Sequence, residues 1–207
     1  MSRKLNLRIP SDCVVRLRGL PNRRGGAEVS LKRILFMTVA MLWFALLNAH
    51  AAPPDLKTPE PVIYLADNLD EKDNLGWCID TVGRGLSERL HAHSCKPRGG
   101  DVQFRYNDDT RQIMSATYIG KCATLSTEAT EGASFGLVDC DNSSPLQLFN
   151  YDRQTFEFRP QENEKLCFAV GSASRTAGPF MSRNLILALC RSTETKYKQW
   201  RIKAGKS

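Results

Sequence analysis

The feature of this sequence that most constrains its fold is a set of three cysteine pairs that recur at a nearly fixed interval. The members of the pairs lie 17, 18 and 23 residues apart, and the first members recur every 44 and 45 residues: Cys78/Cys95, Cys122/Cys140 and Cys167/Cys190. An aromatic residue follows each pair by nine or ten residues: Phe104, Phe149 and Trp200. This period predicts three copies of one small unit that cannot bury its apolar face alone.

Residues 1–51 read as a leader and not as part of a folded domain. Lys32 and Arg33 precede an apolar run over residues 34–47, and Ala49-His50-Ala51 supplies the small residues that a signal peptidase recognises. A retained membrane anchor is the alternative, but the run is shorter than the roughly 20 residues that span a bilayer. We therefore expect a signal peptide cleaved near Ala51 and a secreted or periplasmic protein.

Residues 1–30 fit neither a signal peptide nor a domain. They are basic, lack periodicity and contain Cys13, the one cysteine outside the repeat pattern. We interpret them as a misassigned N-terminal extension, with the true start codon downstream, for example at Val29. Cys13 would then not be part of the protein.

Removal of the leader changes what the charge implies about partners. The whole chain has a formal net charge of +7, from 29 Lys/Arg and 22 Asp/Glu. Nine of the basic and two of the acidic residues lie in residues 1–51, so 20 of each remain and the mature chain is formally neutral. Nucleic-acid binding, which depends on clustered Lys and Arg, is therefore not expected, and neither is a membrane span in the mature chain.

Six cysteines remain in a chain that is predicted to enter an oxidising compartment. Six cysteines allow 15 disulfide connectivities, and the repeat favours the one that pairs them within each unit. Zinc binding is the weaker interpretation, because no Cys-x-x-Cys spacing occurs in the sequence.

The mature chain is predicted to be one all-β domain behind a short linker. Residues 52–61 hold four prolines and read as an extended, Pro-rich linker. Short apolar or alternating runs then follow, bounded by turn residues, and they predict strands near 62–65, 77–80, 103–106, 135–138, 156–158 and 185–189. We expect a domain over residues 62–204, with repeats at about 62–107, 108–152 and 153–204.

The repeats resemble those of the ricin-type β-trefoil lectin family (ricin B-like domains). In the first repeat, residues 76–80, 90–95 and 101–104 read Gly-Trp-Cys-Ile-Asp, Leu-His-Ala-His-Ser-Cys and Asp-Val-Gln-Phe. The cysteine spacing and the closing aromatic agree with the family in all three units, whereas the family's Gln-x-Trp is intact in none. Gln147-Leu148-Phe149 comes nearest. The resemblance implies a β-trefoil whose closing aromatics point into a shared core.

The resemblance also implies a carbohydrate site in the first repeat alone. The family uses a carboxylate two residues after the first cysteine, an aromatic platform two before the second, and polar residues nearby, so that hydroxyls and the apolar sugar face are both bound. These positions correspond here to Asp80, His93, His91 and Asp101. The second and third repeats offer neither carboxylate nor platform; they have Thr124, Gly136, Val138 and Leu146, and Ala169, Ile186, Ala188 and Tyr197.

The same first-repeat residues admit two other interpretations. In one, His91 and His93 are exposed strand residues and Asp80 caps a turn. In the other, the two imidazoles share one face of a strand and bind a metal with Asp80. We expect no metal and no cofactor, because no third histidine remains after cleavage.

Catalysis is not expected. Residues 132–136 read Gly-Ala-Ser-Phe-Gly, which matches the nucleophile elbow of hydrolases in letters. That elbow requires a helix after the serine and a histidine downstream, whereas here a strand-like run follows and both histidines lie upstream. No other set of nucleophile, base and orienting group can be assembled.

The third repeat carries about five extra residues between its cysteines, within residues 171–184. Gly, Ser and Pro in this segment predict a surface loop, and a tolerated insertion is the simpler interpretation. The loop would otherwise present Phe180, Arg175 and Arg183 to a protein partner. We thus expect a non-catalytic glycan-binding module, with a protein-binding trefoil, such as a toxin-like cell-binding subunit or an inhibitor, as the alternative.

Overall fold

The computed structural model describes residues 52–205. The expectations for the leader, its cleavage near Ala51, the misassigned start and Cys13 concern residues outside this range. Within residues 52–205 no helix is long and apolar enough to cross a membrane.

Short strands account for most of the regular structure in residues 52–205. Their bounds are β1 Val62–Leu65, β2 Trp77–Thr81, β3 Leu90–Ser94, β4 Phe104–Asn107, β5 Gln112–Ser115, β6 Lys121–Leu125, β7 Phe135–Asp139, β8 Phe149–Asp152, β9 Glu157–Pro160, β10 Leu166–Ala177, β11 Phe180–Leu189 and β12 Trp200–Lys203. Two single-turn 3₁₀ helices, Pro145–Gln147 and Thr195–Tyr197, precede β8 and β12. All six strands predicted from the sequence are present, with bounds shifted by a few residues.

The strands repeat in groups of four, and each group contains one hairpin formed by its second and third strands. Pairs β2/β3, β6/β7 and β10/β11 are the hairpins, whereas β12/β1, β4/β5 and β8/β9 join one repeat to the next. All these pairings are antiparallel. The fold is therefore a β-trefoil with three pseudo-repeats, as predicted.

One disulfide closes each hairpin near its base. Cys78–Cys95, Cys122–Cys140 and Cys167–Cys190 are bonded, with Cα atoms 5.0, 4.9 and 5.2 Å apart. The predicted connectivity within repeats is thus confirmed. Each bridge closes a short loop, and a bridge of this kind typically stabilises a small domain by about 2–4 kcal/mol.

The closing aromatics form the centre of the core. Phe104, Phe149 and Trp200 are all fully buried, which confirms their predicted inward direction. The ring of Phe168, from the third hairpin, lies 4.7 Å from that of Phe149 and 4.1 Å from that of Phe135. One continuous apolar cluster therefore holds residues from all three repeats, as expected for units that cannot bury their own apolar faces.

Backbone hydrogen bonds join the three hairpins in a closed ring. The first meets the second through a bridge between Arg89 and Gly136, and the second meets the third through a bridge between Ser134 and Ile186. The third returns to the first where β11 pairs with β3, with Ser182 opposite His93.

Gly136 is required where the first two hairpins meet. A Cβ at this position would lie 2.8 Å from the carbonyl oxygen of Glu88, a backbone atom that cannot move aside alone. The amide of the next residue, Leu137, donates to that same carbonyl. Any larger residue must therefore separate the two hairpins.

The segment 171–184 is not a loop, which corrects the expectation from its Gly, Ser and Pro content. β10 and β11 extend through it as a long hairpin that turns at Gly178-Pro179, with a register irregularity between Val170 and Ser174. We call residues 171–184 the arm. Its strand β11 adds to the edge of β3, so that hydrogen bonds to the first repeat fix its position.

The Pro-rich segment 52–61 has almost no regular structure, yet it packs on the first repeat. The Asp55 amide donates to the Asn74 carbonyl, and the Thr58 hydroxyl, which is buried, donates to the Lys96 carbonyl. The sequence predicted the extended conformation of this segment but not its packing.

We predict that Gly136→Ala lowers the free energy of unfolding by about 1–3 kcal/mol, as overpacking does. Gly171→Ala is the matched control, because a Cβ there meets its nearest neighbour at an ordinary 3.5 Å. The control should be neutral or slightly stabilising, since glycine in a strand has an entropic cost. Denaturant unfolding of both variants measures the difference, and equal effects would contradict the close approach at Gly136.

Candidate functional site

The four residues predicted for the sugar site come together in the first repeat. Asp80 lies opposite His91 across the β2/β3 pair, and His93 lies opposite Cys78 on the same strand as His91. Asp101 follows in the turn before β4. Strand alternation places the side chains of Asp80, His91 and His93 on one face of the hairpin, because residues at i and i+2 share a face.

Lys96, which the sequence analysis did not single out, connects the two carboxylates. Its Nζ lies 2.8 Å from Oδ2 of Asp80 and 2.6 Å from Oδ1 of Asp101. The Asp80 side chain is completely buried, whereas those of Lys96 and Asp101 are 19% and 14% exposed. Solvent therefore reaches the Lys96–Asp101 end of the cluster and not Asp80. The only sequence signal for Lys96 is its place directly after Cys95.

The charges of the cluster stabilise one another. Burial raises the pKa of the Asp80 carboxyl, but close contacts with His91 and Lys96 outweigh burial and hold this pKa below its usual value of 3.8. Burial likewise lowers the pKa of Lys96, but Asp101 and Asp80 outweigh it and raise this pKa above 10.5. Both groups are thus ionised at neutral pH, as an ion pair behind the surface.

His93 is neutral at physiological pH. Burial is the largest cause of a lowered pKa for this imidazole, and it outweighs the opposing effects of the Ser94 carbonyl and Asp80. Its Nδ1 lies 3.0 Å from the Ser94 carbonyl oxygen, which can only accept, so Nδ1 carries the proton and donates.

Several polar atoms of the cluster have no hydrogen-bond partner within the described range. Neither oxygen of Asp80 receives an aligned hydrogen bond, although Lys96 is close enough for an ion pair, and Nε2 of His91 is also without a partner. That Nε2 lies 3.8 Å from Oδ2 of Asp80. Unpaired buried polar atoms cost free energy. Folding stability alone therefore does not explain why these positions are polar.

The arm closes this cluster on the side of His93. The Phe180 ring stands edge-on to the His93 ring, with the centroids 5.5 Å apart. The Met181 amide donates to the Ser94 hydroxyl, which in turn donates to the Glu71 carboxylate. His93 is 6% exposed as a result.

A buried arginine anchors the arm. The Arg183 guanidinium lies 4.9 Å from the ring centroid of Trp77, donates to the Gly171 carbonyl and forms an ion pair with Asp70. Arg183 is 2% exposed, so the expectation that it faces a partner is wrong. Phe180 is half-buried, and of the three residues proposed for the loop surface only Arg175 is exposed.

The equivalent positions in the other repeats form no comparable cluster. They hold Thr124, Gly136, Val138 and Leu146 in the second repeat, and Ala169, Ile186, Ala188 and Tyr197 in the third. None of these side chains is ionised at neutral pH. The polar constellation is therefore particular to the first repeat.

The structure also tests the other interpretations of these residues. His91 is 8% exposed and His93 6%, and Asp80 lies within β2, so the interpretation as exposed strand residues with a turn cap is wrong. Oδ2 of Asp80, which is the oxygen close to both imidazoles, is already paired with the ammonium group of Lys96. A strand, β7, and not a helix follows Ser134, so the sequence Gly-Ala-Ser-Phe-Gly is not a nucleophile elbow.

Comparison with known proteins supports the fold and not a family assignment. No family model matches the chain, and no curated protein matches it in sequence. The agglutinin from Abrus precatorius is similar in structure, with a TM-score of 0.50 and 14% identity over 70% of this chain and 47% of the agglutinin chain. The chain thus spans about half the length of that protein. At this identity the similarity shows the β-trefoil fold alone.

Two further solved structures are similar with TM-scores below 0.5. The β-trefoil lectin of the Vibrio vulnificus hemolysin/cytolysin, with N-acetyl-D-lactosamine bound, has a TM-score of 0.48 and 10% identity, over 71% of this chain and 95% of that one. GalNAc-T7, with UDP, GalNAc and Mn²⁺, has a TM-score of 0.47 and 16% identity, over 82% of this chain and 26% of that one.

We predict that Lys96→Met lowers the free energy of unfolding by about 3–5 kcal/mol, because it leaves the Asp80 carboxylate buried without a cation. Lys121→Met is the matched control, since Lys121 pairs with an Asp139 side chain that is 90% exposed, and it should cost no more than about 1 kcal/mol. Denaturant unfolding at neutral pH measures both. If the two variants lose the same stability, Asp80 does not depend on Lys96.

We also predict that stability falls as the pH drops below about 6.5, because the pKa of His93 is lowered on folding from that value. Below this pH the His93 imidazole binds a proton in the unfolded chain but not yet in the folded protein. The free energy of unfolding therefore decreases until the pH falls below the pKa of His93 in the folded state. Thermal melts at about pH 7.5 and 5.5 should show a smaller decrease for His93→Gln than for the wild type. Equal decreases would exclude His93 as the cause.

Proposed function

We propose that the protein is a secreted, non-catalytic carbohydrate-binding module with at most one sugar site, located in the first repeat. The observation that carries this proposal is the cluster of Asp80, His91, His93 and Asp101, since the equivalent positions elsewhere in the trefoil hold no ionised group. The β-trefoil fold is compatible with glycan binding, but a fold alone does not determine a function.

Burial assigns different roles to the four residues. Asp80 cannot meet a sugar hydroxyl directly, so its role is to hold His91 and Lys96 in place. Asp101 and Lys96 retain some exposure and can respectively accept and donate hydrogen bonds with hydroxyl groups. His91 lines an open cleft between the three hairpins, where its ring can contact a ligand. Binding of this kind needs neither a cofactor nor a catalytic residue.

The proposed location agrees with the covalent chemistry. Three disulfides persist where the environment is oxidising, as in the periplasm or outside the cell. The signal sequence expected in residues 1–51 would deliver the chain there. The mature protein would begin close to Ala52.

A second candidate is a protein-binding trefoil, such as a toxin-like cell-binding subunit or an inhibitor. The specific observation in its favour is the closure of His93 by Phe180. A sugar could stack on His93 only after the arm had moved. This closure is expected of a trefoil that does not bind sugars by the family mode.

A glycan array tests the two candidates. Wild-type protein should bind at least one glycan, and His91→Ala should weaken that binding at least about tenfold, or about 1.4 kcal/mol. Val138→Ala is the control, because Val138 in the second repeat is equivalent to His93 in the first. It should bind like the wild type. Thermal melts verify that both variants are folded.

Phe180→Ala distinguishes a closed sugar site from an absent one. Under the lectin proposal this variant should bind at least as strongly as the wild type, since removal of the ring opens His93. If both the wild type and Phe180→Ala bind no glycan, the lectin proposal is rejected and the protein-binding candidate is favoured.

A further inference from the structure

The three hairpins enclose a cleft at the point where they meet. Its volume is about 410 Å³, within the range of small-ligand sites. Residues from all three repeats line it, and they include three of the four bridge residues, Arg89, Ser134 and Ile186. It lies beside the first-repeat cluster, and His91 forms the wall between the two.

The floor of the cleft is apolar and follows the pseudo-threefold symmetry. Leu90, Phe135 and Leu185 each stand five residues before the second cysteine of their repeat, and each lines the cleft. Their exposures are 5%, 2% and 2%. Three equivalent side chains of the apolar core thus close the bottom of the cleft.

The rim follows the same symmetry in position but not in chemistry. Arg89, Ser134 and Asn184 each stand six residues before the second cysteine of their repeat, and all three are exposed. Only the first repeat places a cation there. The arm adds a second cation, Arg175, whose Nη1 donates to Oδ1 of Asn184 at 2.9 Å.

Neither arginine is neutralised by the protein. Within residues 52–205 no carboxylate lies within 4.0 Å of the guanidinium of Arg89 or Arg175, and none lines the cleft. Glu88 and Glu131 are adjacent in sequence to the lining residues Arg89 and Gly132 but form no ion pair with either arginine. Asp80, behind His91, is already paired with Lys96. The cleft therefore presents uncompensated positive charge above an apolar floor.

We infer that this cleft binds an acidic sugar, with Arg89 and Arg175 contacting its carboxylate or sulfate group. The inference rests on the proposed glycan binding: it names the class of glycan and extends the single first-repeat site past His91 into the cleft between the repeats. A guanidinium group presents its donors in a planar fork that matches the paired oxygens of such an anion. The Asn184 amide nitrogen supplies a further donor, so the rim favours a ligand rich in acceptors. The Ser134 hydroxyl is hydrogen-bonded to that of Ser126.

The arm is required for this site. Arg175, Asn184, Leu185 and Ile186 all belong to the third hairpin, and the extra residues of that hairpin extend β10 as far as Arg175 and beyond. The lengthened hairpin thus contributes a charged group that the second hairpin lacks. This assigns a function to a segment that the sequence alone presents as a tolerated insertion.

The test uses matched pairs of glycans that differ only in the presence of a carboxylate or sulfate group. The disulfide-bonded, processed protein should bind the acidic member of at least one pair and discriminate against the neutral one. Arg89→Gln/Arg175→Gln should weaken binding of the acidic glycan between about tenfold and a hundredfold, the usual effect of charged hydrogen bonds. Binding should also weaken as salt is added.

Arg98→Gln/Arg105→Gln is the matched control. Both of these arginines are exposed, neither lines the cleft, and the change in net charge is the same. The control should bind like the wild type. Thermal melts verify that both double variants are folded.

The outcomes separate this inference from the proposed function. If the protein binds neutral and acidic members equally, or if the two double variants lose binding equally, the cleft is not the acidic site, although glycan binding stands. If no glycan of either kind binds, both are overturned. Discrimination that disappears only in the Arg89→Gln/Arg175→Gln variant supports the inference.

Discussion

The ring of backbone hydrogen bonds that joins the three hairpins determines the rest of this structure. It closes because Gly136 allows the carbonyl of Glu88 to approach its backbone and because β11 extends far enough to pair with β3. The first contact fixes the second hairpin beside the first. The second contact places the arm over His93. The buried cluster and the open cleft are thus two sides of one arrangement, separated by the imidazole of His91.

The buried cluster is better explained by positioning than by stability. A buried ion pair contributes little net stability, because the cost of desolvation offsets most of the attraction. Apolar side chains of similar volume are often as stabilising. The second and third repeats have mainly apolar or small residues at these positions and form the same kind of hairpin. The first repeat nevertheless has Asp80 paired with Lys96, and this pair holds two imidazoles at defined places.

Much of the fold could be predicted from the sequence, because covalent spacing and periodic aromatics are local signals. The cysteine interval predicted the pairing of the disulfides. The periodic aromatics predicted the centre of the core, which is formed by Phe104, Phe149 and Trp200. The candidate site could be predicted only in part. The resemblance to the lectin repeats implied Asp80, His91 and His93, whereas it gave no sign of Lys96, which follows Cys95 and contacts Asp80. The position of the arm depends on the pairing of β11 with β3, a contact between segments 80 or more residues apart.

Equivalent residues of all three repeats line the cleft, so it is formed once per molecule and could hold a single ligand. Sites within the repeats could in principle occur three times, and here two of the three have neither the carboxylate nor the ring-bearing platform. A site between the repeats is formed once, by all repeats together, so its specificity depends on how equivalent positions differ. Arg89, Ser134 and Asn184 are such positions, and the arm adds Arg175 on one side only. The asymmetry of this rim would give the proposed acidic ligand one preferred orientation, which three identical rim residues could not provide.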